Sequence, residues 1–266
     1  MTLDSYPFGL LLVPGCVAAA LGGLALMRRS LHRRSDLSRI HDVASSLYAI
    51  VGTLYAVILG LIVVDSMNKF SEARATTEAE SNALADVTLL ASQLPGEGPK
   101  RVRALADDYV RSAIRTEWPS MARRRPDPDT RRIATDLWLA VLSFEPQTAR
   151  EQEVFSKQMD AAADFWNNRR TRLMIALQGG LPTMEWAVLI VGGVVTVSFS
   201  YFFKVDRFRL QMVMTGLLAV VIALNLYLVL MFASPFSGDV TVRPEGFAMS
   251  AYAHDHAPPP APSSSR

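Results

Sequence analysis

The chain has 266 residues, of which 50% are hydrophobic, and its formal net charge at pH 7 is +2. A charge so close to zero argues against nucleic acid as a partner, because nucleic-acid-binding domains concentrate basic residues. The single cysteine, Cys16, excludes an intramolecular disulfide bond.

Four apolar stretches are each long enough to cross a bilayer, which requires about 20 residues. They are Pro7–Met27, Val43–Met67, Met184–Phe203 and Leu210–Phe232. No basic residue precedes the first stretch, so it predicts a retained membrane helix rather than a cleaved signal peptide. The spans therefore predict two membrane hairpins, over residues 1–67 and 184–233.

The loop between the first two spans is basic, and it contains Arg28, Arg29, Arg33 and Arg34. Basic side chains beside a membrane attract anionic lipid head groups, so these arginines are candidate lipid contacts. A role in orientation alone is the alternative. By the positive-inside rule, this loop and the short basic loop between the last two spans lie in the cytoplasm, with both termini outside.

Span two carries two patterned faces. The small residues Ala49, Thr53, Ala56 and Gly60 form a stripe suited to close packing against a neighbouring helix. Another face repeats at helical spacing and contains Tyr55, Leu59, Ile62 and Ser66. This second face is a candidate pore lining, with an apolar constriction at Leu59 and Ile62. Contact with lipid or protein is the alternative.

Residues 68–183 predict an extramembrane helical bundle. No Gly or Pro lies between Met67 and Leu94, so the helix of span two is expected to continue until "PGEGP" stops it. Three further helices are predicted near residues 100–118, 130–144 and 148–177, with Asp129 as the cap of the second. The fold class is therefore all-α, with a four-helix bundle continuous with spans two and three.

Residue patterns typical of catalysis are weak in this sequence. The four histidines are not spaced as metal ligands on a helix, and "HDH" at 254–256 lies in a Pro- and Ser-rich segment. Phosphate-binding loops, zinc motifs and nucleophile elbows do not occur in the sequence. We therefore expect neither enzymatic activity nor a bound cofactor or metal.

The segment after the last span reads "SPFSGDVTVRPEGF". Gly238 can adopt a positive φ angle, and Asp239 can accept hydrogen bonds from nearby amides. Phe236 is apolar, which a solvated tail does not require. These residues predict an ordered structural clasp over 234–248, followed by a disordered tail over 249–266; a binding role for Asp239 is the alternative.

Several blocks in order resemble the bacterial bestrophin-like family. They are "HDVASSLYAIVGTLYAVILGLIVV", "EAESNALADV", "LPGE", "EWPSMAR", "RRTRLMIALQGGLP", "WAVLIVGGVVTVSFSYFF" and "PFSGDVTVRPEGF". The resemblance implies a multi-pass protein of the bacterial inner membrane. Bestrophins are pentameric anion channels whose second membrane helix lines the pore, and whose helical domain and termini are cytoplasmic. That orientation is opposite to the one given by the positive-inside rule.

The leading expectation for function is thus an oligomeric ion channel that conducts anions, with a pentamer implied by the resemblance. Membrane lipids and other copies of the chain are the expected partners. The alternative is a non-conducting membrane protein whose helical bundle binds a partner or senses conditions in the cell envelope.

Overall fold

The computed structural model describes residues 6–31, 41–202 and 207–247. These residues form eight α-helices and one π-helical turn, and no β-strand occurs among them. The α-helices are α1 (Tyr6–Leu31), α2 (His41–Ala91), α3 (Gly98–Ser112), α4 (Trp118–Ala122), α5 (Pro128–Leu142), α6 (Ala149–Gln178), α7 (Thr183–Ser200) and α8 (Phe208–Phe232). The π-helical turn, Ala113–Glu117, joins α3 to α4.

Four of these helices, α1, α2, α7 and α8, are long and apolar enough to cross a membrane. Their apolar side chains remain largely exposed on the chain, as at Leu10, Leu61 and Leu217. Such a surface is suited to a lipid environment, where exposed apolar groups carry no penalty. The prediction of an all-helical chain with four such helices is confirmed.

Helix α2 runs without a break for 51 residues, from the apolar span to Ala91. At 1.5 Å per residue its length is about 77 Å. Its C-terminal half contains neither Gly nor Pro, so nothing in the backbone interrupts the helix before Pro95 and Gly96. The predicted continuity of span two with the first helix of the bundle is confirmed.

The prediction that span three continues directly from the last helix of the bundle is wrong. Helix α6 ends at Gln178, and α7 begins only at Thr183. Gly180 adopts a φ angle of +102°, which side chains with a Cβ rarely tolerate, and Pro182 then precedes the first residue of α7. The sequence "GGLP" therefore breaks the helix completely rather than marking a bend in it.

The chain divides into two compact units. The first contains residues up to Phe70 and Gly180–Thr241, and the second contains Ser71–Gly179 with the segment that starts at Val242. In the first unit, α1 packs along α8, and α7 contacts both helices. Its buried core contains Tyr55, Leu59, Leu189, Ile222 and Val229.

The second unit has its own core, to which α3, α5, α6 and the C-terminal part of α2 contribute. Among its fully or almost fully buried side chains are Val87, Tyr109, Leu137 and Phe165. The segment 234–248, predicted as one clasp, is thus divided between the two units at Thr241–Val242.

The cap of α5 differs from the prediction. The N-cap is Asp127 rather than Asp129, and its carboxylate accepts hydrogen bonds from the backbone N–H and the hydroxyl of Thr130. The Thr116 hydroxyl also donates to it, at 2.8 Å. Partial burial raises the pKa of Asp127, but these hydrogen bonds outweigh burial and hold the pKa below its usual value.

Replacing Asp127 by Ala should lower the free energy of unfolding by about 1 kcal/mol, because the helix loses its cap. A carboxyl group with a lowered pKa stabilises the fold above its unfolded-state pKa, and this contribution disappears as the pH falls through the folded-state pKa. The difference in melting temperature between wild type and Asp127→Ala should therefore shrink in acid. Asp129→Ala is the matched control, and a larger loss there than at Asp127 would contradict the assignment.

Candidate functional site

The face of α2 that was predicted to line a pore is covered within its own subunit. Tyr55 and Leu59 are only 6% and 7% exposed, and both belong to the core shared with α7 and α8. The Tyr55 hydroxyl donates to the carbonyl oxygen of Leu189 at 3.0 Å. At Gly192, an added Cβ would lie 2.5 Å from the Tyr55 ring, so only glycine permits this approach.

The other two residues of this face, Ile62 and Ser66, are also covered by the subunit's own helices. Ile62 is half-buried against the same core, and Ser66 is fully buried and donates to the carbonyl oxygen of Ile62 at 2.9 Å. A side chain that lines a pore between subunits must be exposed on the single subunit. The assignment of Tyr55, Leu59, Ile62 and Ser66 to a pore therefore does not fit this subunit, in which they pack against its own helices.

A different face of α2 is exposed. It combines the predicted small-residue stripe with larger apolar side chains. The exposed residues are Ala49, Thr53, Leu54, Ala56, Val57, Gly60, Leu61 and Val64. At Gly52 and Gly60 an added Cβ would meet no atom within 4 Å. Within the described residues of the subunit, this surface therefore remains free for contact with lipid, with water or with another copy of the chain.

An apolar groove of about 810 Å³ lies between α1, α7 and α8. Small residues make room for it, among them Ala19, Ala20, Gly193, Ala219 and Ala223. The Tyr201 hydroxyl, which also lines the groove, donates to the carbonyl oxygen of Ala20 at 2.7 Å. Since Asp, Glu, His, Lys and Arg do not occur in the described lining, the groove is suited to an apolar group rather than to catalysis.

The first half of the predicted clasp has the expected turn. Gly238 has a φ angle of +83°, as its predicted role requires, and Phe236 is 5% exposed. The carboxylate of Asp239 accepts a hydrogen bond from the backbone N–H of Tyr6, the first residue of α1, at 2.5 Å. Asp239 thus binds an N–H group that the helix itself leaves unpaired, which supports a structural role.

The second half of this segment belongs to the other unit. Its last described residue, Phe247, is fully buried and meets the rings of Tyr109 and Trp118 edge to face. The indole Nε1–H of Trp118 donates to the carbonyl oxygen of Val242 at 3.0 Å. The segment 242–247 is therefore an integral part of the helical unit and not a solvated tail.

Two of the four candidate lipid-binding arginines lie among the described residues. Arg28 and Arg29 occupy the last turn of α1, where Arg29 is exposed and the guanidinium of Arg28 lies over the Phe208 ring, 4.5 Å from its centre. Arg33 and Arg34 lie outside the described residues, as does the predicted tail at 249–266.

The buried charged side chains of the described residues lie together inside the helical unit, and this group was not predicted. We call it the ionic cluster, and it consists of Glu80, Tyr109, Glu117, Arg169 and Arg172. Each of its side chains is at most 4% exposed. The two glutamates balance the charges of the two arginines, as burial in a medium of low dielectric constant requires.

Arg169 forms a bidentate salt bridge with Glu117, with N–O distances of 2.8 and 2.6 Å. Arg172 binds two carboxylates: Nε lies 2.5 Å from Glu80, and Nη2 lies 2.8 Å from Glu117. The rigid guanidinium fork suits such geometry in a way that an ammonium group does not. The cluster therefore connects α2, α6 and the π-helical turn through charged hydrogen bonds.

The hydroxyl of Tyr109 lies at the centre of the cluster. It donates to Glu80 and accepts from Arg169 at 2.6 Å and from Arg172 at 3.2 Å. Burial, followed by the nearby Glu80 carboxylate, raises the pKa of Tyr109 well above its usual value, so the phenol keeps its proton. Burial would lower the pKa of Arg172, but Glu80 and Tyr109 outweigh this and hold it well above its usual value.

The π-helical turn positions Glu117 for these contacts. The backbone N–H of Trp118 donates to the carbonyl oxygen of Ala113, five residues earlier. Pro119 has no N–H, and its ring would clash with the carbonyl group four residues before it, so a regular α-helix is disfavoured here. The indole of Trp118 then lies against the Arg172 guanidinium, whose carbon is 4.7 Å from the ring centre.

Every charged group in the ionic cluster is paired within it, so none of them remains free to act as an acid, a base or a ligand. Among the described residues, the Asp, Glu, His and Cys side chains form no group of three or more that could hold a metal ion. The role of this cluster is therefore structural: its charged pairs hold the helices of the helical unit together.

Comparison with known proteins places the chain in a family. The family model described as Bestrophin-like domain matches residues 15–247, which is more than half of the chain. The matched range includes the ionic cluster, the exposed face of α2 and the segment that ends at Phe247. No curated protein and no solved structure matches the chain. The chain therefore belongs to the bestrophin-like family.

Proposed function

We propose that the protein is an oligomeric channel of the bacterial inner membrane, and that anions are the ions it conducts. The exposed face of α2 carries this proposal. Its small and apolar side chains are exposed on the subunit, and in bestrophins the second membrane helix lines the pore. A ring of copies, five by analogy with bestrophins, would bring this face to the centre of the oligomer.

In this proposal the constriction is formed by the exposed side chains Val57, Leu61 and Val64 instead of Leu59 and Ile62. They are 56%, 65% and 55% exposed on the subunit, so they are accessible for a shared lining. A ring of branched apolar side chains can exclude water from a narrow pore and so control conduction.

We also propose that the protein catalyses no reaction, because the ionic cluster leaves no acid or base unpaired.

Flux of halide ions from vesicles reconstituted with purified protein tests this function. Replacing Leu61, Val57 or Val64 by Ala should widen the constriction, and at least one of these variants should raise the flux above that of wild type. Leu59→Ala is the matched control, because Leu59 is buried against α7 and α8. That variant should lower stability by roughly 2–5 kcal/mol without raising the flux through folded oligomers.

Three results would decide against parts of this proposal. A monomeric mass in detergent would leave no shared pore. Confirmed oligomers of wild type and of all three exposed variants that conduct no ions would favour the non-conducting alternative. Increased flux in Leu59→Ala alone would return the pore to the Tyr55–Ser66 face.

A further inference from the structure

An arginine contact joins the C-terminal end of α1 to the N-terminal end of α8. The guanidinium of Arg28 stacks on the ring of Phe208, the first residue of α8. Its Nη1 atom is buried and has no hydrogen-bond partner among the described residues. Buried polar atoms in folded proteins almost always have partners, and a cationic N–H donor is suited to an anionic acceptor.

The start of α8 supplies further donors at the same place. Its N-cap, Arg207, has an extended backbone, and its side chain makes no capping hydrogen bond. The N–H groups of Leu210 and Gln211 donate to the carbonyl oxygen of Arg207, so the N–H groups of Phe208 and Arg209 are those that the helix leaves without a partner at the positive end of its dipole. The first turn of α8 contains no acidic residue that could satisfy them. Helix starts of this kind bind phosphate groups.

Among the described residues of this region the charges have a single sign, and the neighbouring Asp206 lies outside them. We call this region the basic end, and it consists of Arg28, Arg29, Arg207 and Arg209. Arg29, Arg207 and Arg209 are exposed. Among the described residues of the last turn of α1 and the first turn of α8, no acidic side chain offsets these charges. The exposed apolar side chains Leu26 and Leu210 lie in the same two turns or next to them.

We propose that the basic end binds the phosphate head group of an anionic membrane lipid. Arg28 donates from its unpaired Nη1, the first N–H groups of α8 contribute their dipole, and the three exposed arginines supply the remaining charge. A lipid fits better than a soluble phosphate ion, because both helices are long and apolar enough to cross a membrane and the exposed leucines can contact acyl chains. This site is independent of whether the protein conducts ions.

The test uses full-length protein in detergent and measures the melting temperature while phosphatidylglycerol or phosphatidylcholine is added. Phosphatidylglycerol should stabilise wild type, and phosphatidylcholine should have a much smaller effect. Each basic residue near an anionic surface contributes about 1 kcal/mol, so removing one arginine should weaken the apparent affinity for phosphatidylglycerol about fivefold. The variants are Arg28→Gln, Arg28→Lys and Arg207→Gln.

Arg28→Lys keeps the charge but loses the planar group that stacks on Phe208, so it should recover only part of the affinity. The control is Arg132→Gln, which removes an exposed charge from the helical unit and should leave the affinity unchanged. Arg207 is exposed, so Arg207→Gln keeps the test valid if Arg28→Gln destabilises the protein.

Two outcomes would overturn the proposal. If inorganic phosphate without lipid stabilised wild type as strongly as phosphatidylglycerol does, and Arg28→Gln abolished this effect, the site would bind a soluble anion. If Arg132→Gln weakened the phosphatidylglycerol effect as much as Arg28→Gln and Arg207→Gln, the attraction would be one of overall charge and no site would exist at the basic end.

Discussion

Replacing Arg172 by Met is expected to destabilise the helical unit by about 3–5 kcal/mol, because it leaves a buried carboxylate without its partner. Arg172 and Glu80 are both fully buried. Glu117 would keep its bidentate salt bridge with Arg169, whereas Glu80 would keep only its hydrogen bond from the hydroxyl of Tyr109. The measurement is the apparent melting temperature of the purified protein in detergent, with helix content followed by circular dichroism.

The neighbouring Arg170 is exposed, so Arg170→Met is the matched control and should change stability by less than about 0.5 kcal/mol. The double variant Arg172→Met with Glu80→Gln removes both charges and should recover a substantial part of the loss. Equal losses in Arg172→Met and Arg170→Met, or a double variant less stable than Arg172→Met alone, would show that charge pairing is not what the cluster contributes.

The helices themselves were predictable because their signals are local. Long apolar runs identify the four candidate spans, and the absence of Gly and Pro after Met67 predicts the length of α2. The signals for helix breaks are also local, but the backbone geometry that a break produces depends on the rest of the fold. The sequence "GGLP" indicates an interruption, and only the positive φ of Gly180 distinguishes a full break before α7 from a kink.

The ionic cluster was missed although a signal for it exists. The buried positions of α6 follow one another at intervals of three and four residues, and they are Gln158, Ala162, Phe165, Arg169, Arg172 and Ala176. Two arginines thus occupy core positions of an amphipathic helix, and Glu80 occupies such a position in α2. Helical spacing identifies these charges as buried, but it cannot say which opposite charges meet them, because the partners lie 52 to 92 residues away in the sequence.

The burial of the Tyr55–Ser66 face of α2 could not be predicted from the sequence, for a physical reason. In a soluble protein an apolar helix face is buried, and a polar face is exposed. In a membrane both the face toward the protein and the face toward lipid are apolar, so periodicity does not separate them. Gly192 and Gly193 on α7 show which face of α2 packs against the protein, since an added Cβ at either position would meet the Tyr55 side chain.

The clasp was predicted from its turn and not from its partners. The order Ser237–Gly238–Asp239 is typical of a tight reversal, and the positive φ of Gly238 agrees with it. The pairing of Asp239 with the N–H of Tyr6 joins residues 233 positions apart, which no local pattern encodes. The burial of Phe247 in the helical unit depends on tertiary structure in the same way.

Phe247→Ala is expected to lower the stability of the helical unit by about 3–5 kcal/mol, the usual cost of removing a fully buried aromatic ring. The ring is completely buried and meets Tyr109 and Trp118, with centre-to-centre distances of 6.1 and 5.8 Å. Its loss would leave a cavity beside the ionic cluster, where Tyr109 holds Glu80 and both arginines. Arg243→Ala, an exposed change in the same segment, should alter the melting temperature little. If Phe247→Ala melted at the same temperature as Arg243→Ala, the segment 242–247 would be a passive cover of the helical unit, and the stability of the cluster would come from its charged pairs alone.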